Sequence, residues 1–196
     1  AAAPPRRARL VTPAGPQPVD HREQDLRDHA LLLVRAGLLD GPALLAAMVE
    51  AVEVQLPDTD ATILARVWLA AATQQVVEVA GSWEAVTDHD RLQSALAECA
   101  SNGVHVHQGI TPEALREQVA TLEQSGRGVL WFHPEAVYVA LDTGVLSMSL
   151  RHPNGVIPAP QDAVVIAVLS CMERHGLRAR WHEDQPQVAT WWRKRP

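Results

Sequence analysis

Gly128-Val129-Leu130-Trp131-Phe132-His133-Pro134 is the stretch on which the fold class turns. Its apolar run is too short for an ordinary helix and is rich in β-forming side chains, so it reads as a buried strand. Pro134 cannot donate to a sheet ladder but fits the first turn of a helix, so strand passes directly to helix at His133. Working upstream, Thr111-Pro112-Glu113 is a helix start, with Thr as cap, Pro in the first turn and Glu complementing the dipole; that helix runs to Gly126. Before it, Val104–His107 reads as a strand, preceded by a helix over Asp88–Ser101 that stops at Asn102-Gly103. Working downstream, Val145–Leu150 is a further strand, the loop Pro153–Pro160 follows, and a helix over about Gln161–His175 is closed by Gly176. Leu177, Ala179 and Trp181 alternate with Arg178 and Arg180, and Val188–Trp191 follows the turn at His182–Pro186, which is a terminal hairpin with one buried face. Residues 83–196 are therefore expected to form an α+β domain with a four- to five-stranded sheet and helices on one face.

The segment before it is helical throughout. Leu26, Ala30, Leu33 and Val34 make one core-facing stripe that ends at Gly37. A second helix, from Pro42 to Gln55, is apolar almost all round, which asks for burial on more than one side. A third covers roughly Asp60–Ala80 with Ile63, Leu64, Val67, Trp68 and Ala71 on one face. Residues 19–82 are expected to pack as a helical subdomain directly on the sheet, since no Ser/Gly linker separates them. Residues 1–18 hold five of the 14 prolines and three Arg with no acid, and read as a disordered basic arm.

The 196 residues carry 23 acidic and 17 basic side chains, a net −6, but the bases gather at the ends. Outside Arg6, Arg7, Arg9, Arg193, Lys194 and Arg195, 11 basic residues face 23 acidic ones, so the body carries about −12. Such a body repels nucleic acid, leaving only a weak salt-sensitive contact through the termini as a nucleic-acid reading. The apolar window Ala61–Gly81 is interrupted by Arg66, Gln74, Gln75 and Glu78, so it reads as a core helix and no membrane partner is expected. No stretch near the N-terminus has the apolar core of a signal peptide, and the chain is expected to be cytoplasmic. Cys99 and Cys171 fit neither a zinc ribbon nor a disulfide framework and read as reduced, buried fillers.

Trp83-Glu-Ala-Val86-Thr87-Asp88-His-Asp90-Arg91-Leu92, the Gly128–His133 segment and the closing pattern His175-Gly-Leu, Trp181 and Trp192-Arg-Lys-Arg195 resemble an uncharacterised family of bacterial proteins, a domain of unknown function. The likeness spans about 83–195 and implies no activity. Two departures follow from it: where relatives often carry a cysteine cluster this chain has His105-Val-His-Gln-Gly-Ile-Thr111, and after the aromatic-His motif Pro134-Glu-Ala136 replaces Gln-Asp.

Three constellations bear on chemistry. Thr87-x-x-Asp90 is a capping box in pattern, although Asp88, His89 and Asp90 also form an acid–base or metal-binding set by residue type. His105 and His107, two apart on a strand, project to one face; two solvent-side His are the commoner case, yet with His133 they are the candidate divalent-metal ligands. Trp191-Trp192 must point to opposite faces, so one is exposed or docked, and with Arg193 they form a candidate partner-binding corner, or else pack on the N-terminal helices. Neither a nucleophile elbow nor a phosphate-binding glycine loop is present. The first expectation is a non-enzymatic interaction or regulatory protein, binding a protein partner or itself, with no cofactor. The alternative is a small metal-dependent hydrolase using His105, His107 and His133 with Asp88 or Asp90.

Overall fold

In a computed structural model the chain is described over residues 21–121 and 126–196, with backbone alone at 119–121. The basic arm expected at 1–18 lies outside the described residues. Three helices come first: α1 (His21–Ala36), α2 (Gly41–Gln55) and α3 (Ala61–Ala80). Asp40 and Asp60 cap the second and third, each carboxylate accepting a backbone N–H three residues on, from Ala43 at 2.9 Å and Ile63 at 3.0 Å. Leu26, Ala30 and Leu33 of α1 meet Met48 and Val52 of α2 and Ala65, Trp68 and Ala72 of α3 in one apolar cluster.

Two details of these helices differ from the sequence expectation. On α3 the buried line is Ala61, Ala65, Trp68, Ala72, Val76 and Ala80, while Ile63 and Val67 face solvent. Alanine lets the helices approach closely, and the bulkier β-branched residues are left on the outer side. On α2 only Met48 and Val52 are buried, and Val54 is exposed, so this apolar helix is covered on one side alone.

The remaining elements are α4 (Asp88–Ser101), β1 (Val104–His107), α5 (Pro112–Thr121), β2 (Gly128–Trp131), α6 (Pro134–Thr143), β3 (Val145–Ser147), β4 (Ser149–Arg151), α7 (Ala163–Arg174), β5 (Arg178–His182) and β6 (Gln185–Ala189). The class is α+β, but the strands form two three-stranded sheets, not one of four to five: β1-β2-β4, with β1 and β2 parallel, and an antiparallel β3-β6-β5. The split falls at Met148. The run read as one strand over Val145–Leu150 pairs with β6 before this residue and with β2 after it, while the Met148 N–H turns to the carbonyl of Pro186 at 2.9 Å. Its side chain is buried in a second core with Leu92, Leu96, Leu130, Phe132, Leu146, Leu150, Val168 and Val188.

This second core also takes Ala36 of α1 and Trp192 of the C-terminal tail. The helical segment is therefore stitched to the sheets by residues from both ends of the chain. No helix among the described residues is long and apolar enough to cross a membrane.

Candidate functional site

The stretch before α4 folds as its letters dictate. Thr87 caps the helix: its hydroxyl oxygen accepts from the Asp90 N–H at 3.3 Å, and the Asp90 carboxylate accepts from the Thr87 N–H at 2.8 Å, a full capping box. The Thr87 N–H, as the chief cause, holds the Asp90 carboxyl below its ordinary value. Asp88 accepts from Arg91 at 2.9 Å and, through its other oxygen, from the backbone N–H of Trp191 at 3.2 Å. Both carboxylates considered for acid–base work are thus engaged in capping and in holding the tail.

His89 stands next to them with its ring edge-on to the Trp192 indole, centroids 4.9 Å apart. Burial, and then the charge of Lys194, hold its pKa below the ordinary histidine value. Trp192 donates its indole N–H to the Ala36 carbonyl at 2.9 Å, Lys194 donates to the Gly37 carbonyl, and Arg195 donates to the carbonyls of Ala80 and Glu84. Of the tandem indoles, Trp192 is buried and Trp191 is 48% exposed.

Between this tail and the helices lies a cavity of about 370 Å³, within the range of small-ligand sites. Leu31, Val76, Leu141 and Trp192 supply its apolar surface, and Trp83 and Trp191 supply further indole walls. Arg35 and Arg193 bring two guanidinium groups, Gln75 a carboxamide, and the lining contains no carboxylate among the described residues. Arg35 lies on the α6 side, its guanidinium 3.5 Å from the carbonyl of Leu141.

Two of the three stretches that carried the sequence resemblance meet here, Trp83 at the head of the signature and Trp192-Arg193 in the closing pattern. A family model described as a domain of unknown function, DUF6891, matches residues 20–196. The chain belongs to this family. Neither a search of curated proteins nor one of solved structures gives a match.

In this DUF6891 member the three candidate metal ligands are placed as follows. His105 and His107 on β1 stand opposite Val129 and Trp131 of β2 in the parallel register. Burial, with His105 nearby, lowers the His107 pKa against the opposing bond to Gln118, and the His107 Nε2 is buried with no hydrogen-bond partner among the described residues. At His133 both ring nitrogens are used: Nδ1 donates to the Ile110 carbonyl at 2.6 Å, and Nε2 accepts from the Trp131 indole N–H at 3.3 Å. That leaves His133 no lone pair for a metal, and among the described residues no group of three His, Cys, Asp or Glu is arranged to hold one.

Of the partner-binding corner, Trp191, Trp192 and Arg193 do line one cavity. Sequence reasoning missed Arg35, Gln75, Trp83 and Leu141, which come from three different helices and a turn. No spacing rule links such positions, and the only available signal was the presence of Trp83 in the signature.

Proposed function

We propose that this chain is a non-enzymatic interaction or regulatory protein of the cytoplasm, and that it grips its protein partner at the corner formed by α1, α3, α6 and the tail. The observation that supports it is that Arg35 and Arg193 line one cavity together with apolar and indole side chains. Guanidinium groups bind carboxylates with charge-assisted hydrogen bonds, and indole walls suit an apolar or aromatic body. The complementary group on the partner is a carboxylate beside an aromatic ring, as at a peptide C-terminus ending in Phe. Because the lining comes from both the helical segment and the tail, an occupant bridges them, which gives binding a route to regulation.

The test is a titration of the full chain with N-acetylphenylalanine and with its amide, followed by tryptophan fluorescence and melting midpoint. The acid is expected to bind at least about tenfold more tightly than the amide, and Arg193→Gln to remove that preference. Equal affinities for acid and amide, or a preference unchanged in Arg193→Gln, overturn the reading.

Self-association is a second reading, favoured by the outer side of α3. Ile63, Val67 and Val77 are 59%, 57% and 47% exposed along one line of that helix. Sedimentation of the wild type beside Val67→Asp tests it: a dimer that the aspartate dissolves supports it, and a wild-type monomer at high concentration sinks it.

A further inference from the structure

Cys99 and Cys171 are 72 positions apart in sequence, yet α4 and α7 bring them into the same core at 1% exposure each. Burial, and then the neighbouring Cys171, push the Cys99 thiol up. Polar groups converge on the other sulfur. The Asn102 amide, one turn beyond Cys99, reaches across from α4 to Cys171 Sγ at 3.7 Å, and the Arg174 guanidinium, one turn beyond Cys171, points at the same sulfur from 3.3 Å. The two helices are clamped at this level, because Glu98 accepts from Arg174 Nε at 2.9 Å and holds His175 Nε2 at 2.9 Å. A pair of fillers needs none of this. A thiol that only fills space packs against carbon, whereas Cys171 Sγ also meets two polar donors.

We infer that Cys99 and Cys171 form a redox-active thiol pair, which an oxidant of the peroxide class converts to a reversible disulfide joining α4 to α7. Cys171 Sγ attacks one peroxide oxygen; the O–O bond breaks, the sulfur is oxidised by two electrons, and the departing hydroxide takes the Cys171 thiol proton and leaves as water. The resulting sulfenic acid is attacked by Cys99 Sγ; the S–S bond forms, the S–O bond breaks, and hydroxide leaves with the Cys99 proton as a second water. Two thiols and one hydrogen peroxide thus give one disulfide and two waters. Arg174 and Asn102, both exposed, reach the buried sulfur from the surface, and the oxidant is one little larger than water that enters past these two side chains. The product fixes the tilt of α4 against α7, and α4 is the helix whose first turn holds the tail.

The experiment treats the native full chain with hydrogen peroxide, counts free thiols, maps peptides without reduction, and then adds dithiothreitol. The expected result is loss of both thiols together, a peptide pair containing Cys99 and Cys171 joined within one chain, and recovery of both thiols on reduction. In Cys99→Ser, dimedone is expected to trap a sulfenic acid on Cys171, while Cys171→Ser leaves Cys99 unlabelled. Oxidation of either cysteine alone to sulfinic acid in the wild type, cross-links between chains only, or dimedone labelling of Cys99 but not of Cys171 in the single variants would overturn the inference.

Discussion

The indole N–H of Trp192 donates to the carbonyl oxygen of Ala36 at 2.9 Å, joining the last turn of the first helix to the end of the chain. Ala36 is one of the carbonyls that α1 leaves without an intrahelical partner. Lys194 and Arg195 do the same for Gly37 and Ala80, so two cations sit at the negative ends of α1 and α3. The C-terminal basic cluster, which in the sequence suggests a clamp for an anion, spends two of its three charges on the chain's own helices. Arg193 alone of the three lines the cavity.

Removing the indole should therefore loosen the helical segment from the sheets. Trp192→Ala is expected to cost about 3–5 kcal/mol and Trp192→Phe about 1–2 kcal/mol, the latter close to the value of the lost hydrogen bond. Urea unfolding of the three chains measures both. An alanine variant within about 1 kcal/mol of wild type would mean that the tail carries no structural load.

Stability should also fall on mild acidification through His89. Its folded pKa is depressed by burial and by Lys194, against a smaller opposing effect of Asp90. Below its ordinary value of 6.5 the unfolded chain takes up the proton first. The His89 contribution is thus fully present above about pH 6.5 and lost as pH falls through the folded pKa. The Asp90 carboxylate, also depressed, adds its own loss only once pH nears its ordinary value of 3.8. The urea midpoint is expected to be lower at pH 5 than at pH 7.5, and His89→Gln to reduce that difference, leaving the part due to His107, whose pKa is also lowered by burial. An unchanged pH slope in the variant refutes the assignment.

Much of the fold was legible because its punctuation is local. Thr87-x-x-Asp90, Thr111-Pro112 and Pro134 mark helix starts through contacts within four residues, and α4 and β1 run over the residues expected. What was not legible depends on partners far away. Nothing local at Met148 says that one strand divides between two sheets, and periodicity could not choose between the alanine side and the Ile63–Val67 side of α3. The cavity was half legible: Trp191, Trp192 and Arg193 are adjacent, whereas Arg35 reaches them only after α1 has packed. The placing of Cys99 and Cys171 in one core was invisible for the same reason, since it depends on the packing of α4 on α7.

The orientation of α3 yields a paired test. Ala65 is fully buried against α1 and α2, so Ala65→Leu must force a bulky chain into a close helix contact and is expected to cost about 1–3 kcal/mol. Val67 is 57% exposed two positions later, and Val67→Ser should stay within about 0.5 kcal/mol. Chemical denaturation of both variants decides the matter; the reverse order of costs would place the helix about half a turn from where it stands.

A last pair isolates the seat of Trp191 at the cavity. Gly144 ends α6 at φ +68°, in the left-handed region, and its carbonyl accepts from Thr190 N–H at 2.9 Å. A Cβ added there would lie 2.9 Å from Cε2 of the Trp191 indole. Gly155 has a similar φ of +82°, but an added Cβ meets nothing within 4 Å among the described residues. Both alanine variants bear the left-handed penalty of about 1–2 kcal/mol, and only Gly144→Ala must also displace the indole. Gly144→Ala is expected to be the more destabilised by about 1 kcal/mol or more, with a shifted tryptophan emission and a several-fold change in affinity for N-acetylphenylalanine. Gly155→Ala should leave emission and affinity as in the wild type. Equal costs and equal spectra in the two variants would show that Trp191 is not seated on Gly144, and the cavity would then lose one of its walls.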